Sequence, residues 1–341
     1  MKLLVPLFTL FTGCVEYEFT QFDGTDVFYQ KSADLVDILL VVDNSCSMDP
    51  YQEKLSQNFQ AFIQFFVDVD IDYHIGVVTT TVNTPLENVY CNANDISRIP
   101  DPGHLVNGLV IDAETENPEQ KFSNAVNVGI CGSGSEMGLE AAALALSPEL
   151  LGGVNDGFIR EEAELSIIFV SDEEDSSPAP VNDYLNMYRA VKGERNRGAF
   201  DASALVVTDK TECTRDQINA GATVGSRYMD VAVQGAGVQG NICSSDFATV
   251  VTDLSLNASR LEDTFYLSDM PDPTTLAVSV NATSYPCEDG AWTYTIQVDE
   301  YGVESPVVIF ERTNLPPPSS QIAIRYYDGD GDESLFCQGV E

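Results

Sequence analysis

Residues 37–48 read DILLVVDNSCSM. The first half, Ile38 to Val42, is an unbroken apolar run rich in branched side chains, the pattern of a strand buried on both faces. The run stops at Asp43, and Asp43, Ser45 and Ser47 then follow at alternate positions. An irregular loop can turn three such oxygens toward one point. Hard cations take oxygen ligands, and Mg2+ takes a few of them together with waters. The stretch therefore reads either as a metal loop at a strand end or as a polar turn that caps the next helix.

The surroundings choose the fold. After the loop, Asp49 fits an N-cap and Pro50 the first helical position. Leu55, Phe59, Phe62, Ile63 and Phe66 then recur near helical spacing. YHIGVVTTT, residues 73–81, reads as a second buried strand, which completes a βαβ unit with a parallel sheet. Further strands are expected at 165–171 (LSIIFVS), 204–209 (ALVVTD) and 263–269 (DTFYLSD), and helices at 136–146, 183–192 and 247–254. The fold class is α/β: a doubly wound, mainly parallel sheet flanked by helices over residues 35–270. Two excursions, 82–132 and 210–245, interrupt it. From residue 271 the texture changes to alternating apolar and polar residues, as in WTYTIQV and QIAIRYY. Residues 271–341 are accordingly expected to form a small all-β unit.

The 341 residues include 54 acidic and 16 basic side chains, a formal net charge of −38. Nucleic acids and anionic membrane surfaces repel such a chain; cations attract it. The N-terminus, MKLLVPLFTLFTGC, has one Lys, an apolar stretch too short to span a bilayer, and then Thr12-Gly13-Cys14. This layout is that of a secretory signal, and the small pair before Cys14 resembles a bacterial lipobox, with Phe11 in place of the usual Leu. Residues 1–14 are thus expected to be a lipoprotein signal ending at a lipidated Cys14, followed by a lead-in over 15–34. The membrane contact would be that anchor alone, and the folded part would lie outside the cytoplasm.

Seven cysteines remain, and an exported chain is expected to form disulfides. Pairing of sequence neighbours gives Cys91–Cys131, Cys213–Cys243 and Cys287–Cys337, although sequence alone does not fix the choice. Loops of this length contribute roughly 3–4 kcal/mol each in the chain-entropy view. Cys46, the one left over, lies between two of the loop oxygens, and alternation of side-chain direction turns it away from them.

Two further loops join DNSCS at strand ends: GSGSEMG, residues 132–138, and Ser171-Asp172. In an open parallel sheet such loops gather at one edge, where ligands bind. This set resembles the von Willebrand factor A domain and its metal-ion-dependent adhesion site. The family's D-x-S-x-S stands here as Asp43, Ser45 and Ser47; its second-loop Thr is replaced by Ser135; its third-loop Asp is Asp172. The resemblance implies that Ser45, Ser47 and Ser135 bind Mg2+ (or Mn2+ or Ca2+), while Asp43 and Asp172 hold bound waters. The cation would keep a position open for an acidic side chain of a partner protein. The lipobox, DNSCSM and CGSGSEMGLEAA together also resemble a group of bacterial surface lipoproteins. The function expected is a cell-surface or periplasmic lipoprotein that binds a protein partner; a structural envelope protein stiffened by its metal is the alternative.

Weaker signals stand beside these. DEEDSS, 172–177, reads as a second cation loop or as a solvated acidic turn. DGDGDE, 328–333, places Asp328, Asp330 and Asp332 at the alternating positions of a Ca2+ loop, but the expected sixth-place Gly is Glu333 and the twelfth-place Glu is Gly339. With two histidines and no phosphate-binding loop, dinucleotide fingerprint or nucleophile elbow, no enzymatic activity is expected.

Overall fold

The computed structural model describes residues 24–30, 33, 35–83, 91, 96–193, 198–245, 247–298, 302–311 and 314–337. The signal-like segment and Cys14 lie outside them. In chain order the elements are β1 (Gly24–Tyr29), β2 (Leu35–Val42), α1 (Asp49–Asp68), β3 (Asp72–Thr79), α2 (Pro118–Val126), α3 (Gly138–Ala145), α4 (Pro148–Leu151), β4 (Glu164–Ser171), α5 (Val181–Val191), β5 (Phe200–Val206), α6 (Arg215–Ala220), α7 (Ser226–Gln234), β6 (Ala236–Asn241) and α8 (Phe247–Ser259). There follow β7 (Thr264–Tyr266), β8 (Ala277–Val280), β9 (Thr283–Tyr285), β10 (Trp292–Val298), β11 (Glu304–Phe310) and β12 (Gln321–Tyr326). The chain divides into two compact units, one of residues 29–264 with 310–321, the other of 24–28, 265–309 and 322–337 among the described residues.

The larger unit is built on a five-stranded sheet of order β3-β2-β4-β5-β6, every pair parallel. Seven of eight residues are buried in both β2 and β4, and all seven in β5, as the continuous apolar runs require. Alternation sends Leu39 and Val41 into one core layer with Leu139, Phe169, Tyr188 and Tyr228, beneath α3, α5 and α7. On the other face α1 packs against α8 and α2, with Phe62 edge-on to Phe66 at 5.1 Å and stacked on Phe122 at 6.1 Å.

The register places the site. Val42 lies opposite both Thr79 and Val170, so the loops leaving β2, β3 and β4 emerge side by side. From β2 the chain crosses to β3 on one side, and from β4 to β5 on the other. This reversal makes the carboxyl ends of β2 and β4 the switch point of the sheet.

Several expectations are corrected. Asp49 is not an N-cap: a 3-10 turn, Cys46–Met48, runs directly into α1, Met48 takes the cap position in helical geometry, and no side chain caps it. The fifth strand of the parallel sheet is β6, inside the expected excursion 210–245, rather than 263–269. Its sequence, AGVQGN, lacks a branched run because it must lie close to its neighbour: a Cβ at Gly237 would stand 1.8 Å from the Ala202 carbonyl oxygen. Thr264–Tyr266 pairs instead in a three-stranded sheet, β10-β11-β7.

The smaller unit also holds a four-stranded sheet, β1-β12-β8-β9, with β12-β8 and β8-β9 antiparallel. Its strands alternate as expected: Ile322, Ile324 and Tyr326 are buried along β12, and Val278 and Val280 along β8. Trp292 is buried, and its indole N–H donates to the Tyr285 carbonyl (2.6 Å). The unit gains β1 from the expected lead-in, and residues 310–321 belong with the larger unit. β1 escaped the pattern because it is inverted. Val27 and Tyr29 are exposed, while Asp26 accepts hydrogen bonds from the Tyr326 hydroxyl (2.8 Å) and the Ser268 amide (2.9 Å).

Disulfides join Cys91 to Cys131, Cys213 to Cys243 and Cys287 to Cys337. The first two close the two insertions of the larger unit, and such bridges belong to chains that fold in an oxidising compartment. Among the described residues no helix is long and apolar enough to cross a membrane.

Candidate metal centre

The first loop continues the ladder of β2 for one residue, the Asp43 amide donating to the Val170 carbonyl (2.9 Å). The chain then turns, and Asp43 Oδ1 accepts the Ser45 amide (2.8 Å), an Asx turn. Asp43 Oδ2 accepts the Ser171 hydroxyl from the end of β4 (2.6 Å). The turn brings the Ser45 and Ser47 hydroxyls to 2.8 Å from each other, and Ser47 Oγ donates to Asp172 Oδ1 at 3.0 Å. Residues 43, 45, 47 and 172 thus form one connected group. Cys46 is exposed, and its Sγ donates to the Ile130 carbonyl (3.1 Å), away from the cluster.

The second loop is docked through Asn44. The Asn44 carbonyl accepts the Gly132 amide (2.6 Å), and its side-chain oxygen accepts the Thr81 hydroxyl (2.8 Å). A Cβ at Gly132 would lie 2.2 Å from that oxygen, so no other residue fits. This docking fixes the loop just ahead of Ser135 and Glu136. Ser135 is half-buried, its amide donates to Ser133 Oγ (3.1 Å), and none of the described hydrogen bonds joins its hydroxyl to the cluster. The next residue approaches it. Glu136 is 1% exposed, accepts the Thr80 hydroxyl on Oε2, and lies close to the Asp43 carboxyl. From the third loop Glu173, half-buried, reaches the Ser47 hydroxyl.

Glu136, Asp172 and Glu173 therefore all lie near Asp43, and none of the described ion pairs supplies a Lys or Arg to these four carboxyls. Burial drives every one of them toward its neutral form. Asp43 is raised by desolvation, partly offset by its bonds from Ser171 and Ser45. Glu136 is pushed up to about 10, first by burial and then by the Asp43 charge, and Asp172 to about 7 for the same two reasons. Glu173 is also raised, again by burial and then by Asp43. Two buried oxygens, Glu136 Oε1 and Asp172 Oδ2, have no protein partner. A buried, unpartnered carboxylate oxygen is costly. An all-oxygen donor set with excess negative charge and vacant lone pairs fits a divalent cation, and a hard one best.

Other flagged residues have different work. Glu174 accepts the Ser226 and Arg227 amides at the start of α7 (3.0 Å each). Asp175 pairs with Arg227 (2.9 Å) and accepts the Leu139 amide of α3 (3.2 Å). These two acids anchor helices, so DEEDSS is neither a second cation loop nor a solvated turn. Asp328, Asp330 and Asp332 are exposed on the turn after β12; Asp332 caps the Ser334 amide (3.0 Å). His74 Nδ1 meets the Phe158 carbonyl at 3.1 Å. Thr80 was not singled out in the sequence; Ser171 was read as the end of the third strand, Glu173 as part of DEEDSS, and Glu136 only as part of the second loop. Glu136 was hidden by its place at a helix start, where an acidic residue is ordinary.

No protein-family model matches the chain, and no curated protein does. Among solved structures it is similar to a von Willebrand factor type A protein from Catenulispora acidiphila, with 12% identity and a TM-score of 0.40, over 92% of this chain and 68% of that one. The pilus adhesin SpaC from Lactobacillus rhamnosus GG gives 10% identity and a TM-score of 0.43, over 91% of this chain and 42% of that one. Proximal thread matrix protein 1 from the mussel byssus, in a structure with a zinc-occupied MIDAS motif, gives 14% identity and a TM-score of 0.36, over 71% of this chain. The chain spans about half the length of that mussel protein (51%). The fold stated above rests on the strand order and register of this chain, and these likenesses add nothing to it.

Proposed function

We propose that this chain is an exported binding protein whose larger unit holds a hard divalent cation at the Asp43–Ser45–Ser47–Asp172 group and uses it to grip a partner protein. The observation that carries the reading is the convergence of three strand-end loops on that group, with two buried carboxylate oxygens left unpartnered. When bound, the cation supplies an electrophilic point on an otherwise strongly acidic molecule. The chain's own residues position it: Ser171 and the Ser45 amide fix the Asp43 carboxyl, and Asn44 fixes the second loop against the first. A partner offering an acidic side chain completes the cation's shell. Cys14 carries a lipid that tethers the protein to the cell envelope, and the smaller β-unit serves as spacer or second contact surface.

The test is capture of partners from envelope extract by the wild type and by Ser45→Ala/Ser47→Ala, with and without chelator. Capture that requires both the hydroxyls and the cation supports the proposal; capture that survives EDTA sinks it. One observation favours the alternative of a structural protein: Asp43 and Asp172 are both 0% exposed, as suits a cation that stiffens loops. A cation that raises the melting temperature and recruits nothing supports that alternative.

A further inference from the structure

The second loop departs from the pattern that the sequence led us to expect, and the departure has chemical content. The Ser135 amide is bonded within its own loop, while Glu136 is held near the cluster from two sides. Its backbone carbonyl accepts the Ser176 amide (2.6 Å), the Met137 amide donates to the Thr80 carbonyl (3.2 Å), and the Thr80 hydroxyl takes Oε2. The other oxygen, Oε1, is buried without a partner. Asp43 and Glu136 are both buried and lie close together, so a cation held between them would offset the repulsion of their carboxylates. Asp172 Oδ2, also unpartnered, belongs to the residue bound to Ser47 in the same group.

We propose that Glu136, and not Ser135, is the second loop's ligand to the cation, and that the site so completed takes Ca2+ in preference to Mg2+. This rests on the metal reading above and sharpens it. Mg2+ usually keeps several waters and takes one or two carboxylates in a small octahedron. Here Asp43, Glu136 and Asp172 offer three buried carboxyls, with the Ser45 and Ser47 hydroxyls beside them and Glu173 at the margin. Ca2+ takes six to eight oxygens, accepts several carboxylates, and sheds water more readily. Its larger shell also leaves room for one more oxygen from a partner.

The experiment is calorimetric titration of the chelator-treated full chain with CaCl2 and with MgCl2, alongside Tb3+ luminescence as a direct reading of site occupancy. Wild type is expected to bind Ca2+ at least about tenfold more tightly than Mg2+. Glu136→Gln is expected to weaken Ca2+ by about 10-fold or more, the scale seen for lost support of a metal ligand. Ser135→Ala should stay within about twofold of wild type. Glu136→Asp, which keeps the charge on a shorter arm, should fall between, and it decides the matter if the Gln variant does not fold. Unchanged Ca2+ affinity in both Glu136 variants, or a Ser135→Ala loss as large as the Glu136→Gln loss, overturns the ligand assignment alone. Tighter binding of Mg2+ overturns the preference alone. A wild type that binds no divalent cation overturns this inference and the metal reading together.

Discussion

Asp37 and Asp43 stand six residues apart on one continuous strand and its exit, and both are fully buried. Asp37, at the amino end of β2, is enclosed by cations: Arg160 Nε at 2.8 Å and Lys192 Nζ at 3.1 Å, with the Arg160 amide also donating to it at 2.8 Å. Asp43, at the carboxyl end, meets only hydroxyls, amides and other acids. Of the 16 basic residues, two are committed to that one buried carboxylate, and none of the described ion pairs reaches the four acids at the other end. The contrast separates two ways of holding charge inside a protein. One end carries its counter-ions in the sequence; the other is completed from solution.

The comparison can be attacked at several points, taken in decreasing order of expected effect. Lys192→Met removes a built-in counter-ion whose side chain is 1% exposed. Breaking a buried pair in this way typically costs ~3–5 kcal/mol, to be read from urea unfolding; a near-neutral result would mean that Arg160 alone suffices and would weaken the contrast. Asp201, also fully buried near the amino end of β5, gives the pH counterpart. Burial pushes it from its ordinary 3.8 up to about 7, the Arg260 guanidinium and Ser166 hydroxyl opposing. The folded state therefore holds that proton more tightly than the unfolded state. Its stabilising effect is complete below about pH 4 and is lost as pH rises through 7, by on the order of 4 kcal/mol. Asp201→Asn should flatten that part of the stability–pH curve, and an unchanged slope counts against the shift.

At the other end of β2, cation at 100 times its dissociation constant should raise unfolding stability by ~2.7 kcal/mol. Asp43→Asn should abolish that increment while leaving the chelated protein folded. If the metal-dependent rise persists in Asp43→Asn, the cation sits elsewhere. The smallest effect is expected at Cys46, whose thiol points to Ile130 rather than to the cluster. Cys46→Ser should change cation affinity less than about twofold by the same titration, because the exposed thiol is bonded to the Ile130 carbonyl and not to the cluster.

These contrasts also sort what the sequence disclosed. β2 runs from Leu35 to Val42 as read, because a strand buried on both faces needs an uninterrupted apolar run, which stands out in a polar chain. Asp43, Ser45, Ser47 and Asp172 were legible because their spacing and their place at strand ends are local facts. Glu136 was not, since whether residue 135 or 136 faces the cluster depends on how Gly132 seats against Asn44, a contact between loops far apart in sequence. β6 was missed because close approach to Ala202 demands glycine where a strand pattern shows branched residues. β1 was missed because its polar Asp26 points inward and its Val27 outward.

Cys131 is followed at once by Gly132, whose amide is bonded to Asn44, so the Cys91–Cys131 bridge ends where the ligand-bearing loop begins. The segment between those two cysteines is clamped at its base, and several of its described residues are tied into the larger unit: Leu105 enters the core, Ile111 bridges Ile75, and Phe122 stacks on Phe62. Redesign of what this segment presents to a partner therefore has to spare those anchors, and substitutions at its exposed positions are the ones that leave the sheet edge beneath it unchanged.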